Sequence, residues 1–198
     1  MTAVVDYNAG NVRSVLCALE RLGERAELTC DREKILSADR VIFPGVGQAK
    51  SAMIELEKRG LVETLCKVKR PFLGICLGMQ LMNAFSEEGD VDLLGLFDNR
   101  VSLFPESVGV KIPHIGWNSI QVASSPLFNG IESGSYVYFV HSYYVPKSKG
   151  TIAECTYDGI SFTAAMGRGN FFGCQFHPEK SGLVGERILR NFLELEVQ

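Results

Sequence analysis

The feature that most constrains the fold of this chain is an apolar run interrupted only by Gln80, Pro71-Phe-Leu-Gly-Ile-Cys-Leu-Gly-Met-Gln-Leu81. Residues Pro71–Ile75 have the composition of a buried strand, and Leu77–Phe85 predict a helix that follows without a loop. Cys76 stands at the junction, with a glycine two residues away on each side. A strand that passes directly into a helix is typical of α/β proteins, in which helices cover a parallel sheet.

Further strands and helices are predicted on both sides of this segment. In the first half they alternate, as expected for parallel strands joined by helical crossovers. The elements predicted there are the strands Ala3–Asp6 and Arg40–Phe43, the helices Ala49–Glu57 and Leu61–Val68, and a helix capped by Asn11 with Val12, Val15, Leu16 and Leu19 on its apolar face. Those predicted in the second half are the strands Val101–Phe104, Ser119–Val122, Tyr136–Val140, Thr151–Tyr157, Ser161–Met166 and Phe171–Gln175, and the helix Ser181–Leu195. We therefore expect one α/β domain over residues 1–198, with a mixed, mainly parallel central sheet flanked by helices.

Composition and charge exclude several classes of function. Of the 198 residues, 46% are hydrophobic and 22% are charged, which is ordinary for a globular protein. The net charge of -3, without a basic run, gives no footprint for nucleic acid. No apolar stretch approaches the roughly 20 residues of a membrane span, and the N-terminus lacks the features of a secretory signal. We therefore expect a cytoplasmic protein with neither a nucleic-acid nor a membrane partner.

The six cysteines and three histidines form no metal-binding pattern. No C-x-x-C pair occurs, and the spacing of a zinc site is absent. A chain with this length and apolar content needs no disulfide framework, so we expect six reduced thiols, most of them acting as small core residues. No metal and no cofactor are predicted, and the question becomes which cysteine differs chemically from the rest.

Cys76 is the candidate nucleophile because its surroundings match a nucleophile elbow, the G-x-S-x-G turn, with cysteine in place of serine. Gly74 and Gly78 remove side chains that would collide in such a sharp turn. The turn also lifts the thiol to the carboxyl edge of the sheet, where the N-terminus of the next helix lowers a thiol pKa. The alternative is a buried structural thiol between turn glycines, which the combined pattern disfavours.

A nucleophilic cysteine needs a base, and His177 is the best placed of the three histidines. It ends an apolar strand in the segment Phe172-Gly-Cys-Gln-Phe-His-Pro-Glu179, so it also lies at a strand end. Residues two apart in an extended chain point the same way, which would let Glu179 hold one ring N–H and orient the imidazole. The pattern predicts a Cys-His-Glu triad.

Two other histidines compete for the role of base. His141 ends the run Tyr136–Val140, so it could also lie at a sheet edge, but no carboxylate is near it in the sequence. We expect it to line the site or the core. His114 follows Pro113 in a predicted loop, with no strand to fix its position.

Acyl transfer also needs hydrogen-bond donors for the oxyanion of a tetrahedral intermediate. The backbone N–H of Leu77, directly after the candidate nucleophile, is one such donor. The glycine-rich turn Pro44-Gly-Val-Gly47 follows a predicted strand and lets the backbone approach a ligand closely, so it is a candidate for the second donor. A plain strand-to-helix turn is the alternative. The absence of a third glycine at Lys50 excludes a dinucleotide-binding fingerprint.

Segments spread in order over nearly the whole chain resemble one enzyme family. Those that resemble the class I, or triad, glutamine amidotransferases are P-G-V-G at 44–47, G-I-C-L-G-M-Q at 74–80 and F-H-P-E-K-S at 176–181. Those that resemble its subfamily of imidazole glycerol phosphate synthase glutaminase subunits are N-A-G-N-V-R-S at 8–14, P-H-I-G-W-N at 113–118 and Y-F-V-H-S-Y at 138–143. One departure is Ala49, where many relatives carry an aromatic residue. The resemblance implies a flavodoxin-like fold.

The resemblance implies a role for individual residues. Cys76, His177 and Glu179 would form the triad. N–H groups of Leu77 and of Val46 or Gly47 would hold the oxyanion. The residues implied in glutamine binding are Gly45, Gln80, Glu88, Ser142 and Tyr143, for which a helix-face amide, a solvated acidic run and an ordinary strand end are the alternatives. The residues implied near a partner interface are Asn11, Trp117, Tyr138 and Lys180, with a single core tryptophan as the alternative for Trp117.

The resemblance also implies a substrate and a partner. Glutamine would be hydrolysed to glutamate and ammonia, and the ammonia would pass to a (β/α)8-barrel cyclase subunit. That cyclase forms imidazole glycerol phosphate and an aminoimidazole carboxamide ribotide in histidine biosynthesis. Three alternatives stay open at this point: the same glutaminase serving another synthase, such as one that aminates a surface sugar; a non-catalytic module on the same fold; and a cysteine peptidase with the same elbow.

Overall fold

The computed structural model describes residues 1–8, 10–105 and 111–196. Its strands are β1 (Thr2–Val5), β2 (Ala26–Thr29), β3 (Arg40–Gly45), β4 (Phe72–Cys76), β5 (Phe85–Ser86), β6 (Val91–Asp92), β7 (Arg100–Leu103), β8 (His114–Val122), β9 (Ser135–His141), β10 (Tyr143–Tyr144), β11 (Thr151–Tyr157), β12 (Ile160–Arg168) and β13 (Phe171–Cys174). Its helices are α1 (Val12–Arg21), α2 (Arg32–Ser37), α3 (Ala49–Lys58), α4 (Leu61–Cys66), α5 (Leu77–Leu81) and α6 (Gly182–Leu193), with short 3-10 turns at Pro126–Phe128 and Pro178–Lys180.

Within the described residues, nine strands form the central sheet in the order β2-β1-β3-β4-β13-β12-β11-β8-β9. The block from β2 to β13 is parallel. The strands from β12 to β9 extend it in antiparallel pairings. The predicted mixed α/β sheet is therefore confirmed. The short strands β10, β7, β5 and β6 form a second, smaller sheet among the described residues.

The core lies in two apolar clusters, one on each face of the sheet. Successive residues of β1 alternate between them: Ala3 and Val5 belong to one cluster and Val4 to the other. The first cluster is covered by α3, which contributes Leu56, and the second by α1, which contributes Leu19. Parallel strands are stable in this setting because both of their faces are removed from water. None of the described helices is long and apolar enough to cross a membrane.

The helix after Cys76 is shorter than predicted. It was expected to run to Phe85, but α5 ends at Leu81, and Phe85 begins β5 instead. The Asn83 side chain donates hydrogen bonds to the Met79 and Gln80 carbonyls, at 2.9 and 3.0 Å. These bonds satisfy carbonyls that the next helical turn would otherwise have used. In the sequence, the signal for this early end of the helix is Asn83, an asparagine inside an apolar helical pattern.

Three further expectations need correction. Strand β2 and helix α2 were not predicted, although Asp31 caps α2 by accepting the Glu33 and Lys34 N–H groups. Strand β8 begins at His114 rather than near Ser119, so this histidine lies on a strand and not in a loop. Of the six free thiols in the described chain, Cys76, Cys155 and Cys174 are buried and the other three are exposed, so fewer serve as core residues than expected.

Candidate active site

Cys76 occupies a strained elbow between β4 and α5. Its backbone has φ 52° and ψ -110°, a conformation that residues with a side chain rarely adopt. A Cβ on Gly78 would overlap the Phe43 carbonyl oxygen, and one on Gly74 would lie 2.8 Å from the Met79 nitrogen. The strand and the helix can meet this closely only because both flanking positions lack side chains.

Parallel pairing brings three predicted segments to one edge of the sheet. Gly45 at the end of β3 is the register partner of Cys76 at the end of β4. On the other side of β4, Cys174 at the end of β13 pairs with Ile75. The glycine-rich turn that follows Gly45 and the histidine segment that follows Cys174 therefore flank the elbow, at the carboxyl edge where α/β proteins bind ligands.

His177 and Glu179 form a buried pair beside Cys76. The His177 Nδ1 lies 2.8 Å from the Glu179 Oε1, and their side chains are 1% and 0% exposed. The His177 Nε2 lies on the side of Cys76, which raises the pKa of the imidazole, and within the described ranges this nitrogen has no hydrogen-bond partner. Burial by itself would lower the pKa of His177, but its interactions with Cys76 and with the Glu179 carboxylate raise it well above its usual range. The arrangement therefore favours the imidazolium form of His177 beside Cys76.

The pairing was predicted from an extended chain, and that geometric reason was wrong. Pro178–Lys180 form a turn of 3-10 helix, with proline at its start, and this turn folds the carboxylate back under the imidazole. The tight turn still produces the predicted contact, because it brings the side chains of His177 and Glu179, two positions apart, next to each other. The Lys180 N–H closes the turn on the His177 carbonyl at 3.0 Å.

Asn11 has a different role from the predicted helix cap. It precedes α1, but its backbone is left-handed, with φ 65°, and its side chain caps nothing. Its Nδ2 instead donates to the Glu179 Oε1 at 2.7 Å, so one carboxylate oxygen accepts from both Asn11 and His177. The amide therefore helps to fix the carboxylate that orients the imidazole.

A cavity of about 310 Å³ opens beside Cys76. It is lined by Val46, Gly47, Cys76, Leu77, Gln80, Glu88, Pro113, Val140, His141, Ser142 and Tyr143. These include most of the residues expected to hold glutamine and the oxyanion. Gly45 lies behind the lining, packed against the Tyr7 hydroxyl. A larger depression of about 730 Å³ lies at the opposite edge, next to Pro71 and Asn170, and contains none of the predicted site residues.

Leu77 and Gly78 begin α5 directly after the thiol. The first N–H groups of a helix have no partner within that helix, so the Leu77 N–H is available at the cavity. Gly47, with φ 106°, keeps the facing turn in a backbone conformation that favours glycine. The predicted oxyanion donors thus lie on the same cavity wall as the thiol.

Gln80 and Glu88 line the cavity with part of their hydrogen-bonding capacity already used. The Gln80 Nε2 donates to the Tyr143 carbonyl and to the Gln175 Oε1, each at 2.9 Å. The Glu88 Oε2 accepts the Ala49 N–H at 2.7 Å, at the start of α3. Burial raises the pKa of Glu88, and the Ala49 N–H partly opposes that rise. Both side chains are therefore held in place before any ligand arrives.

The two competing histidines form a neutral hydrogen-bonded pair. The His141 Nδ1 lies 2.8 Å from the Tyr143 carbonyl, which can only accept, so this nitrogen carries the proton. The His141 Nε2 then accepts from the His114 Nδ1 at 3.0 Å, and the His114 Nε2 accepts from Asn118 at 3.4 Å. Burial lowers the pKa of His141 to about 3 and that of His114 to about 4. Both ring nitrogens of His141 are thus engaged away from Cys76.

The neutral histidines should make stability fall in acid. An unfolded histidine ionises near the usual value of 6.5, whereas burial lowers the pKa of folded His114 to about 4. Between these values only the unfolded state holds the proton, so the free energy of unfolding drops as pH falls, by about 1 kcal/mol per pH unit. His114→Gln removes this contribution. Urea unfolding near pH 7 and near pH 5 should therefore give a smaller difference for the variant than for the wild type.

The variant and the wild type share every other titrating group, so the contributions of groups that do not contact His114, including His177, cancel in the comparison. A variant that keeps the wild-type pH dependence would contradict the neutral state assigned to His114. Loss of its ring stacking, with centroids 4.0 Å from Tyr157 and 4.8 Å from Phe139, should lower stability equally at both pH values.

Trp117 lies on the surface, so the alternative of a core tryptophan is wrong. It is 55% exposed and stands on β8 opposite Tyr138 of β9, with ring centroids 6.1 Å apart. Ile115 and Tyr136 are 59% and 60% exposed on the same face of this strand pair. We call the set of Ile115, Trp117, Tyr136 and Tyr138 the β8–β9 face. Leu183, 84% exposed, follows Gly182, which lies next to the Trp117 ring.

Gln175 is a site residue that the sequence interpretation missed. It is fully buried, and its Nε2 lies 3.7 Å from the Cys76 sulfur. A glutamine inside an apolar strand, two residues before the candidate base, was the available signal. No group of three or more His, Cys, Asp or Glu side chains in the part of the chain that the structure describes is placed to hold a metal.

The fold and the site define a class of protein: an α/β protein with a cysteine at a strand–helix elbow, a buried histidine–glutamate pair beside it, and a small cavity in front. The family model of glutamine amidotransferase class-I matches residues 3–195. The chain therefore belongs to the class I glutamine amidotransferase family, whose members are enzymes. The resemblance of its motifs to that family is confirmed.

Full-length relatives indicate the branch of the family. The chain is 54% identical over 194 residues to imidazole glycerol phosphate synthase subunit HisH of Bacteroides fragilis, with 98% of each chain covered. It is 47% identical over 192 residues to the HisH subunit of Haemophilus influenzae, with 96% of each covered. A crystal structure of a glutamine amidotransferase matches with a TM-score of 0.75 and 20% identity over 97% of both chains, which supports the fold alone. By sequence, the chain groups with the HisH subunits.

Proposed function

We propose that this chain hydrolyses glutamine to glutamate and ammonia, with Cys76 as nucleophile, His177 as acid and base, and Glu179 as the orienting carboxylate. One observation carries the proposal: the elbow thiol lies beside the imidazole of His177, whose Nδ1 is held by the buried Glu179 carboxylate at 2.8 Å. The cavity of about 310 Å³ in front of the thiol is at the small end of ligand pockets, which suits an amino acid.

In the first half of the reaction, the Cys76 sulfur attacks the carboxamide carbon of glutamine. The oxyanion that forms accepts the Leu77 N–H and an N–H of the Val46–Gly47 turn, both of which line the cavity. The imidazolium of His177 donates its Nε2 proton to the leaving nitrogen, and the carbon–nitrogen bond breaks. Ammonia leaves, and glutamate remains as a thioester on the sulfur.

In the second half, the neutral imidazole takes a proton from water as the water attacks the thioester carbon. The carbon–sulfur bond breaks, glutamate leaves, and the thiolate–imidazolium pair is restored. Glu179 supports both halves because it keeps the Nδ1 proton in place, which fixes the tautomer that presents the Nε2 to the reacting atoms. Burial of the pair excludes water that would weaken this interaction.

We further propose a synthase partner for the chain, a (β/α)8-barrel cyclase of histidine biosynthesis. Relatives at 54% and 47% identity are named as subunits of imidazole glycerol phosphate synthase. The β8–β9 face supports the proposal, since it is aromatic and exposed, as interface anchors are. Ammonia in water is mostly ammonium, a poor nucleophile, so direct delivery to a partner in the cytoplasm is chemically useful. We propose that the whole chain acts as a single domain in this assembly.

The experiment that tests the function is glutamate release from glutamine by the purified chain, alone and with a candidate cyclase and its substrate. Strong stimulation by the cyclase supports both the chemistry and the partner. Equal, low activity in both conditions supports the glutaminase but indicates a different synthase. Absence of activity in every condition contradicts the proposed function and favours a non-catalytic module.

Trp117→Ala should weaken cyclase binding by about 30-fold, because truncation of a central aromatic anchor typically costs about 2 kcal/mol. Basal glutamine hydrolysis should not change, since the side chain is exposed and lies outside the cavity. Titration calorimetry with the cyclase measures the first effect, and glutamate release measures the second. Leu28→Ala, at an exposed site on the far edge strand β2, is the matched control and should bind normally. If Trp117→Ala binds the cyclase with wild-type affinity, the β8–β9 face is not part of the interface.

A further inference from the structure

The fully buried amide of Gln175 contacts the reactive sulfur but has no place in the mechanism above. Its backbone N–H donates to the Ala164 carbonyl at 2.8 Å, which holds the residue directly after the end of β13. Its side-chain Nε2 lies 3.7 Å from the Cys76 sulfur, and its Oε1 accepts from the Gln80 Nε2 at 2.9 Å. Each end of the amide therefore has a partner at the site.

The orientation of this amide follows from the groups around it. The Tyr143 carbonyl can only accept, so Gln80 must turn its Nε2 toward it, at 2.9 Å. The second hydrogen of that nitrogen then faces Gln175, which must present its oxygen. The Gln175 nitrogen is consequently left facing Cys76. The Tyr143 carbonyl is itself fixed by the His141 Nδ1, at 2.8 Å.

We propose that Gln175 stabilises the thiolate form of Cys76 by a hydrogen bond from its amide, and that Gln80 and the Tyr143 carbonyl fix the direction of this donor. The inference deepens the proposed function, on which its catalytic meaning rests. It adds a group that contacts the reacting sulfur, and it gives Gln80 a positioning task besides lining the cavity.

The surroundings of the sulfur explain why this donor favours ionisation. As a neutral thiol, Cys76 can donate to the Val140 carbonyl, 3.8 Å away. A thiolate loses that bond, whereas its bond from the Gln175 amide becomes stronger because the acceptor is charged. Cys155 offers a comparison inside the same fold. Among the described residues, the hydrogen-bond partner of its sulfur is a carbonyl acceptor, that of Thr156, and burial raises the pKa of Cys155 to about 12.

The test is the pH dependence of alkylation of Cys76 by iodoacetamide, followed by mass spectrometry of the peptide that contains it. Gln175→Met keeps the length of the side chain and removes the donor. We expect its thiolate midpoint to rise by about one pH unit, with alkylation about tenfold slower at pH values below the wild-type midpoint and the limiting rate at high pH unchanged. The kcat for glutamine should fall by a similar factor below that midpoint and recover at higher pH, with little change in KM.

Gln80→Met is the second variant, and it carries the test if Gln175→Met does not fold. It leaves the donor in place but removes the group that directs it, so we expect a smaller rise, with alkylation about threefold slower at pH values below the wild-type midpoint. Asn191→Leu is the matched control. It removes a buried amide that donates two hydrogen bonds, at 3.0 and 2.9 Å, far from the thiol. It should lower stability without moving the midpoint.

An unchanged midpoint in a folded Gln175→Met protein overturns the proposal and assigns the amide a purely structural role. Because alkylation needs no glutamine, this outcome is separable from failure of the proposed function. A shifted midpoint in a protein that never releases glutamate would keep the hydrogen bond and reject the glutaminase. Normal glutamine hydrolysis by the wild type, together with an unshifted thiolate midpoint in Gln175→Met, would keep the glutaminase and reject the hydrogen bond.

Discussion

Cys76→Ala should abolish glutamine hydrolysis, with a loss in kcat of at least about 10⁴-fold, the scale seen when a covalent nucleophile is removed. The reason is that the substitution removes the sulfur on which the proposed thioester would form, while the proposed oxyanion donors and the cavity remain. The fold should persist because the side chain is small and 6% exposed, and alanine leaves the elbow glycines in place. Synthesis by the partner from added ammonia should therefore survive.

The measurement is glutamate release together with ammonia-dependent turnover of the complex. Cys155→Ala is the matched control, since it also deletes a buried thiol but lies on β11, away from the elbow. It should lower thermal stability and leave glutamine hydrolysis near the wild-type rate. A Cys76→Ala protein that hydrolyses glutamine at the wild-type rate would contradict the assignment of Cys76 as the nucleophile.

Gly78→Ala should destabilise the protein by about 3 kcal/mol, at the upper end of the usual cost of overpacking a core. Helix propensity alone predicts the opposite sign, because alanine is favoured over glycine by about 1 kcal/mol inside a helix. Packing decides the outcome: a Cβ at this position would overlap the Phe43 carbonyl oxygen, which belongs to the backbone of β3 and cannot rotate away. Either α5 or β3 must then move.

Chemical unfolding of both proteins measures the effect, and the alkylation rate of Cys76 should also change as the elbow shifts. Gly134→Ala is the matched control, because that glycine has φ 93° but open space around its Cα. It should cost only the backbone strain, about 1 kcal/mol. A Gly78→Ala protein as stable as the wild type would show that the strand and the helix are not in the tight contact described.

The elbow is the part of the fold that the sequence determined most fully. An apolar strand, a cysteine between two glycines and an immediate helix have few structural solutions, and the confirmed α/β class follows from them. The end of α5 could not be predicted in the same way. It depends on Asn83 reaching back to two carbonyls, a local competition that apolar periodicity does not register.

In the candidate site, too, some features could be predicted from the sequence and others could not. Cys76, His177 and Glu179 were predicted from their positions at strand ends, and their catalytic roles remain predictions. The contact between His177 and Glu179 exists for another reason than the one expected, since a 3-10 turn rather than an extended chain brings the two together. The sequence does not decide whether Trp117 lies in the core or on the surface, because the residue pattern of a strand does not reveal which of its faces is covered.

The sequence by itself determined the family, the elbow and the set of groups able to form a triad, because these depend on residue types at short spacing. Only the tertiary structure decided which buried polar groups meet. Asn11 reaches Glu179 across 168 positions, and Gln175 reaches Cys76 across 99. Such contacts arise from the order of strands in the sheet, and a buried polar side chain must take whatever partner that order places beside it. Local patterns fix the elements, whereas sheet order fixes their partners.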